Sequence, residues 1–184
     1  MRIIAGEFRG YNLESVKSDK TRPTLERVRE ALFSKLFQYI PEAKVLDLFA
    51  GTGMMGLEAI SRGASYAVLN DKAQDAITTI FKNVKQTKTE QKVSISKKEY
   101  DKCIKSLYEK GEKFDIIFLD PPYLTNLGVK SIENISKYDI LTDEGIIVFE
   151  TDIKVEFPKG LENLEVFDEK RYGRVYVSLW RRKG

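Results

Sequence analysis

The sequence predicts an α/β fold around a mostly parallel sheet, and three observations carry that prediction. A short apolar run inside Lys44–Gly56, KVLDLFAGTGMMG, leads into the spacing G-x-G-x-x-G at Gly51, Gly53 and Gly56 and then into good helix formers up to Ile60. Further short apolar runs at 66–69, 114–119 and 145–149, with a strand-like segment at 91–96, alternate with stretches of helical composition, the rhythm of βα units. The run at 114–119 ends in Asp120-Pro121-Pro122-Tyr123. Two prolines can neither continue a central strand nor donate hydrogen bonds, so the chain must leave the sheet there, at the carboxyl end where α/β sheets hold ligands.

The elements follow in order. Residues 1–13 read as a β-hairpin, with Gly6 and Gly10 at turns and Phe8, Tyr11 and Leu13 alternating. Thr24 caps a helix to about Tyr39 that carries Val28, Ala31, Leu32, Lys35 and Leu36 near one face. After the glycine loop come a strand at 66–71, a helix at 72–85, a strand at 91–96 and a helix at 99–110 with Ile104, Leu107 and Tyr108 inward. Strand 114–119, a helix at 126–138, strand 145–149 ending at Glu150, and a closing antiparallel pair at 164–167 and 175–180 complete the chain. With 184 residues, 42% of them hydrophobic, the expected organisation is a hairpin extension at 1–21 and one domain at 22–184.

Composition narrows the chemistry. The chain has no histidine and one cysteine, Cys103, which excludes histidine-based general-base, triad and zinc chemistry and any disulfide framework. No metal is expected. No apolar stretch approaches 18 residues and the first residues lack a signal-peptide core, so a cytoplasmic protein without a membrane span is expected. The formal net charge of +3 permits a nucleic-acid partner without requiring one.

The glycine motif alone fits a dinucleotide, another nucleotide-like ligand or a bare packing turn, and two acids discriminate. A dinucleotide places its pyrophosphate at the helix N-terminus, where the carboxylate of Asp47 would repel it. A ligand with a sulfonium or ammonium and no phosphate suits that carboxylate, and S-adenosylmethionine (SAM) is such a ligand. Asp71 stands 20 residues beyond Gly51, about where an acid that holds ribose hydroxyls is expected.

Asp120-Pro121-Pro122-Tyr123 supplies what a methyl acceptor needs. An exocyclic base amine is a poor nucleophile because its lone pair is delocalised into the ring. The Asp120 carboxylate and the Pro121 carbonyl can accept its two N–H bonds and push the nitrogen toward a tetrahedral geometry, with the carbonyl held by the rigid Pro-Pro turn. Tyr123 can stack on a base taken out of its helix. A proline-terminated strand with a packing tyrosine is the plainer reading of the tetrapeptide in isolation. From Met1 to Arg29 seven Lys/Arg face four Asp/Glu, and the basic residues interleave with aromatics, a pattern that suits RNA. Arg2, Arg9, Arg22, Arg27 and Arg29 are the candidate RNA contacts; a solvated hairpin is the simpler reading of this segment alone. From Lys170 to Gly184 there are six Lys/Arg and no acid, and Lys82, Lys85, Lys88, Lys92, Lys97 and Lys98 read as a solvated face.

These motifs resemble a known family. D-x-F-A-G-x-G with a [DN]-PP-[YF] tetrapeptide resembles the SAM-dependent amino-methyltransferases. MRIIAGEFRG, RPT-x-x-RVRE at 22–30, GLEA-x-SRGA at 56–64, ILTDEGIIV-x-E at 140–150 and YG at 172–173 resemble the RsmD family over nearly the whole chain. Members are bacterial methyltransferases of guanine N2 in small-subunit (16S) ribosomal RNA. The resemblance implies a class I SAM-dependent methyltransferase (Rossmann-like) fold, a seven-stranded mostly parallel sheet with an N-terminal β-hairpin extension that helps to hold RNA. It implies a cofactor set of Asp47, Phe49, Ala50, Gly51, Thr52, Gly53, Asp71, Lys72 and Thr24, and a catalytic set of Asp120, Pro121, Pro122 and Tyr123. The implied partner is 16S rRNA within an assembled or assembling small subunit. The sequence departs from the family at Asp71, where Glu is usual, and at Ser96–Glu99, where an Asp-Ala pair often contacts adenine; the adenine contact is therefore unassigned. The competing functions are an amino-methyltransferase of DNA adenine N6 or protein glutamine, and a catalytically silent RNA-binding module on the same fold. A dinucleotide oxidoreductase is disfavoured by Asp47.

Overall fold

The computed structural model describes residues 1–16, 23–122, 125–155, 161 and 163–184, with backbone alone at 23–25. Helix α1 (Pro23–Lys35) precedes β1 (Lys44–Asp47), α2 (Met54–Ser61), β2 (Tyr66–Asn70), α3 (Gln74–Thr87), β3 (Val93–Ser96), α4 (Tyr100–Glu109) and β4 (Phe114–Leu119). Then come α5 (Leu127–Tyr138), β5 (Leu141–Thr151), β6 (Leu164–Tyr172) and β7 (Val175–Arg182). The seven strands form one sheet in the order β3-β2-β1-β4-β5-β7-β6. Strands β1 to β5 pair in parallel, and β7 runs antiparallel to both β5 and β6. The chain winds outward from β1 on one side and from β4 on the other. The sheet thus has its switch point between β1 and β4, and a crevice opens outside their carboxyl ends.

The pleat divides the core in two. Val45, Leu69, Ile116, Phe118 and Val148 meet α1, α2 and α3 through Leu32, Phe33, Leu57, Ile60 and Ile80. Leu46, Val68, Ile117, Leu119 and Phe149 meet α4 and α5 through Ile104, Leu107, Ile132 and Ile135. Burial on both faces makes these strands near-continuous apolar runs. Among the described residues no helix is long and apolar enough to cross a membrane.

Several elements differ from expectation for physical reasons. Helix α1 starts on Pro23, a residue suited to the first helical position, and stops at Lys35, so the turn through Tyr39 is not helical. Strand β5 begins at Leu141, four residues earlier than expected, because a register shift against β4 accommodates the polar Thr142–Glu144. Strand β6 runs on to Tyr172, since an edge strand tolerates polar residues on both faces. Tyr108 is more than half exposed instead of inward.

The first 13 residues double back through backbone bonds such as Ile3 N–H to the Tyr11 carbonyl (3.0 Å) and Leu13 N–H to that of Met1 (2.6 Å), with a single antiparallel bridge between Arg2 and Asn12. This arm is docked on α2. The fully buried Glu58 carboxylate accepts the N–H groups of Ile4 (2.8 Å) and Ala5 (3.1 Å) and the Arg62 guanidinium (2.8 Å). Ser61 Oγ accepts from Phe8 N–H (2.9 Å) and donates to the Ala5 carbonyl (2.6 Å). The backbones approach so closely that a Cβ on Gly6 would lie 1.8 Å from the Ser61 carbonyl oxygen. On α3, Asn83 bonds both backbone groups of Glu14.

Candidate active site

The site is assembled where β1, β2 and β4 end. The loop after β1 turns through Gly51 (φ +54°) and Gly53 (φ +79°), left-handed conformations that favour glycine, and Gly53 opens α2. Side chains from β2 hold this loop. Asp71 accepts Gly51 N–H through Oδ2 (2.9 Å) and Ala73 N–H through Oδ1 (2.9 Å). Asn70 donates to the carbonyls of Leu48 (3.1 Å) and Lys98 (3.0 Å), tying the loops after β1 and β3 together. Its own Oδ1 is buried with no partner among the described residues. A Cβ built on Gly51 would meet no atom within 4 Å, so the open side of the turn faces empty space.

That space is a cavity of about 370 Å³. Its walls bring together Phe49, Gly51, Asp71, Lys72, Asp120, Pro121 and Pro122 from the expected set. Phe49 and Tyr100 present stacked rings at 6.1 Å and 28° in the same wall. Asp120 is exposed at the mouth while Pro121 is buried, and Thr125 Oγ–H donates to the Pro122 carbonyl (2.8 Å), bracing the exit from β4. Tyr123 and Arg22 lie outside the described residues, as does the side chain of Thr24.

Four expected cofactor residues do not line this cavity: Asp47, Ala50, Thr52 and Gly53 form the buried underside of the loop. The Asp47 carboxylate points to the N-terminus of α2 and accepts Gly56 N–H (3.2 Å). It occupies the position a phosphate would take in a dinucleotide site. With 2% of its surface exposed, its pKa is pushed up to about 7, mainly by burial and secondarily by Asp71, against the Gly56 hydrogen bond.

Sequence reasoning missed Asn70, Ala73, Tyr100 and Leu127, all cavity residues, and left Lys98 and Glu99 within the unassigned Ser96–Glu99 segment. Lys98 is exposed, as expected of a solvated face, and also lines the cavity. The signal available for these residues was position alone: each follows a strand end or opens a helix.

Among the expected RNA contacts Arg29 is corrected. It is 8% exposed, donates to the Arg2 carbonyl (2.8 Å) and lies 4.0 Å from Glu58, inside the joint between α1, α2 and the arm. Burial lowers its pKa against the pull of Glu58. Arg2 is exposed and paired with Glu26 (2.8 Å), while Arg9 and Arg27 are exposed.

Residues 1–181 match the family described as conserved hypothetical protein 95. The chain is 33% identical over 183 residues to the ribosomal RNA small subunit methyltransferase D of Escherichia coli, covering 100% of this chain and 90% of that protein. The solved Escherichia coli yhhF protein superposes with a TM-score of 0.84 at 30% identity, over 100% of this chain and 98% of that one. The SMU.776 protein, solved complexed with SAH, shares the fold at 16% identity, TM-score 0.69, over 89% of this chain and 50% of that one.

Proposed function

Because the chain belongs to the conserved hypothetical protein 95 family, the RsmD family of methyltransferases, we propose that it transfers a methyl group from SAM to the exocyclic N2 of a guanine in small-subunit ribosomal RNA. One observation carries this reading: a single cavity runs from Gly51 and Asp71 to Asp120, Pro121 and Pro122. Cofactor-loop residues and amine-gripping residues therefore face one volume.

The residues present fit SAM. Asp71 spends one lone pair per oxygen on backbone N–H groups and keeps others for two ribose hydroxyls. The Phe49 and Tyr100 rings offer flat faces to an adenine. The orphaned Asn70 Oδ1 calls for a donor, and Gly51 lets a ligand approach the backbone closely. Asp47, by filling the α2 N-terminus, leaves no place for a pyrophosphate. When bound, SAM supplies a methyl group already activated on a sulfonium.

The acceptor side belongs to the residues after β4. The Asp120 carboxylate and the Pro121 carbonyl accept the two N2–H bonds and aim the nitrogen lone pair at the methyl carbon. Asp120 then stabilises the positive charge that develops on N2 and accepts the proton it sheds. Tyr123 stacks on the flipped base. Arg2, Arg9, Arg22 and Arg27, with the arm at the start of the chain, hold RNA phosphates. The test is methyl transfer from labelled SAM to small-subunit rRNA and to small subunits, followed by nucleoside analysis. The expected product is N2-methylguanosine, and Asp120→Asn should lower turnover 10²–10³-fold, about 2.7–4 kcal/mol of transition-state stabilisation. Label in adenine N6 or in protein, with none in guanine, would overturn the proposal.

A further inference from the structure

Strands β4 and β5 are parallel neighbours, with Leu119 opposite Phe149. The next residue on each is an acid, so Asp120 and Glu150 stand side by side on chains roughly 4.8 Å apart. Leu119 and Phe149 both point into the core under α4 and α5. The pleat therefore sends Asp120 and Glu150 to the opposite face, at the end of the sheet where the cavity opens. Glu150 is partly buried, with the apolar Val148 two residues back and Val177 opposite it on β7, and with Asp120 as its neighbour toward β4. Lys154 and Glu169 lie on the other face, around Phe149, Thr151 and Tyr176. Burial raises the pKa of the Glu150 carboxyl. A partly buried acid beside a second acid at a ligand-binding end is costly as a structural group and suited to meeting a donor from outside.

We propose that Glu150 reads the base: it accepts guanine N1–H while Asp120 and Pro121 grip the N2 amine. This rests on the guanine-N2 reading above. The Watson–Crick edge of guanine carries two adjacent donors, N1–H and N2–H₂, and a row of acceptors at the ends of β4 and β5 matches them. Adenine offers a bare N1 lone pair there, which a carboxylate repels. A site built to bond a substrate N–H rejects analogues that lack it far more strongly than an apolar pocket rejects a missing methylene.

The experiment first maps the modified nucleotide with the wild-type protein, then replaces it by 2-aminopurine riboside in the same rRNA. 2-Aminopurine keeps the exocyclic amine but has a lone pair at N1. Wild type should methylate it at least tenfold less efficiently than guanine. Glu150→Gln should lose at least tenfold in kcat/KM on guanine, mainly through KM, and should narrow the discrimination because its amide can turn and donate to N1. Glu150→Asp, which keeps the charge but withdraws it by one methylene, should lose guanine activity without gaining 2-aminopurine activity. Calorimetric SAM affinity should be unchanged in both. Wild-type efficiency and discrimination in Glu150→Gln, or a loss of SAM affinity in both variants, would overturn the role of Glu150 while leaving N2-methylguanosine as the product. Absence of N2-methylguanosine from the wild-type reaction would instead overturn the reading on which it rests.

Discussion

Asp47→Asn isolates the cost of a buried acid. In the fold the Asp47 carboxyl is pushed up to about 7 from its ordinary value of 3.8. Its neutral form is therefore favoured on folding, so the stability it contributes is present below pH 3.8 and is lost as pH rises through 7. A gap of about three units corresponds to roughly 4 kcal/mol in full, of which about 2.5 kcal/mol falls between pH 5 and pH 8. Asparagine keeps an oxygen that can accept the Gly56 N–H now bonded at 3.2 Å and has no proton to lose. Chemical denaturation of both proteins at pH 5, 6, 7 and 8 measures the difference directly. The variant should gain on the wild type steadily across that range and level off above pH 8. Parallel stability curves would refute the reasoning, since they would mean that Asp47 ionises in the fold as easily as in the unfolded chain.

Three further outcomes are expected. Asp71→Ala should weaken SAM binding at least tenfold by calorimetry, since each charge-assisted bond to a ribose hydroxyl is worth about 1.5–3 kcal/mol; it also releases the N–H groups of Gly51 and Ala73, and unchanged affinity would remove Asp71 from the site. Glu58→Ala should cost about 3–5 kcal/mol in denaturant unfolding, because it strands the buried Arg29 and frees Ile4 and Ala5; a loss under about 1 kcal/mol would contradict the clamp. Arg9→Glu should weaken RNA binding while leaving SAM affinity alone, and RNA affinity should fall steeply with salt; salt-independent binding would return the arm to an ordinary solvated surface.

The central strands were legible because burial on both faces writes an apolar run, and β4 falls on the expected residues 114–119. The polar start of β5 and the outer half of β6 were hidden for the same reason in reverse, since a register shift and an edge need no apolar pattern. In the site, residue type was easier to read than orientation. Asp47 is the acid the ligand argument called for, yet its carboxylate serves the α2 N-terminus from beneath the loop. Arg29 looks like its exposed neighbour Arg27 in sequence, and only the approach of Glu58 from α2 buries it. Tyr100 and Asn70 enter the cavity through the meeting of three strand ends, which no local pattern encodes.

The clamp between the arm and α2 sets a length. Glu58 and Ser61 seize the arm near the end of the helix whose start is Gly53, in the glycine turn. Eight residues of α-helix span about 12 Å, and a helix does not stretch. On the proposed function, arm and glycine turn work like the two jaws of a fixed caliper, and an RNA gripped by the arm is presented at one offset from the methyl-transfer point. A single-stranded tether could slide between such jaws to any register. A folded RNA, whose own dimensions are rigid, fits in one register only, so the choice of nucleotide becomes a matter of distance as much as of sequence.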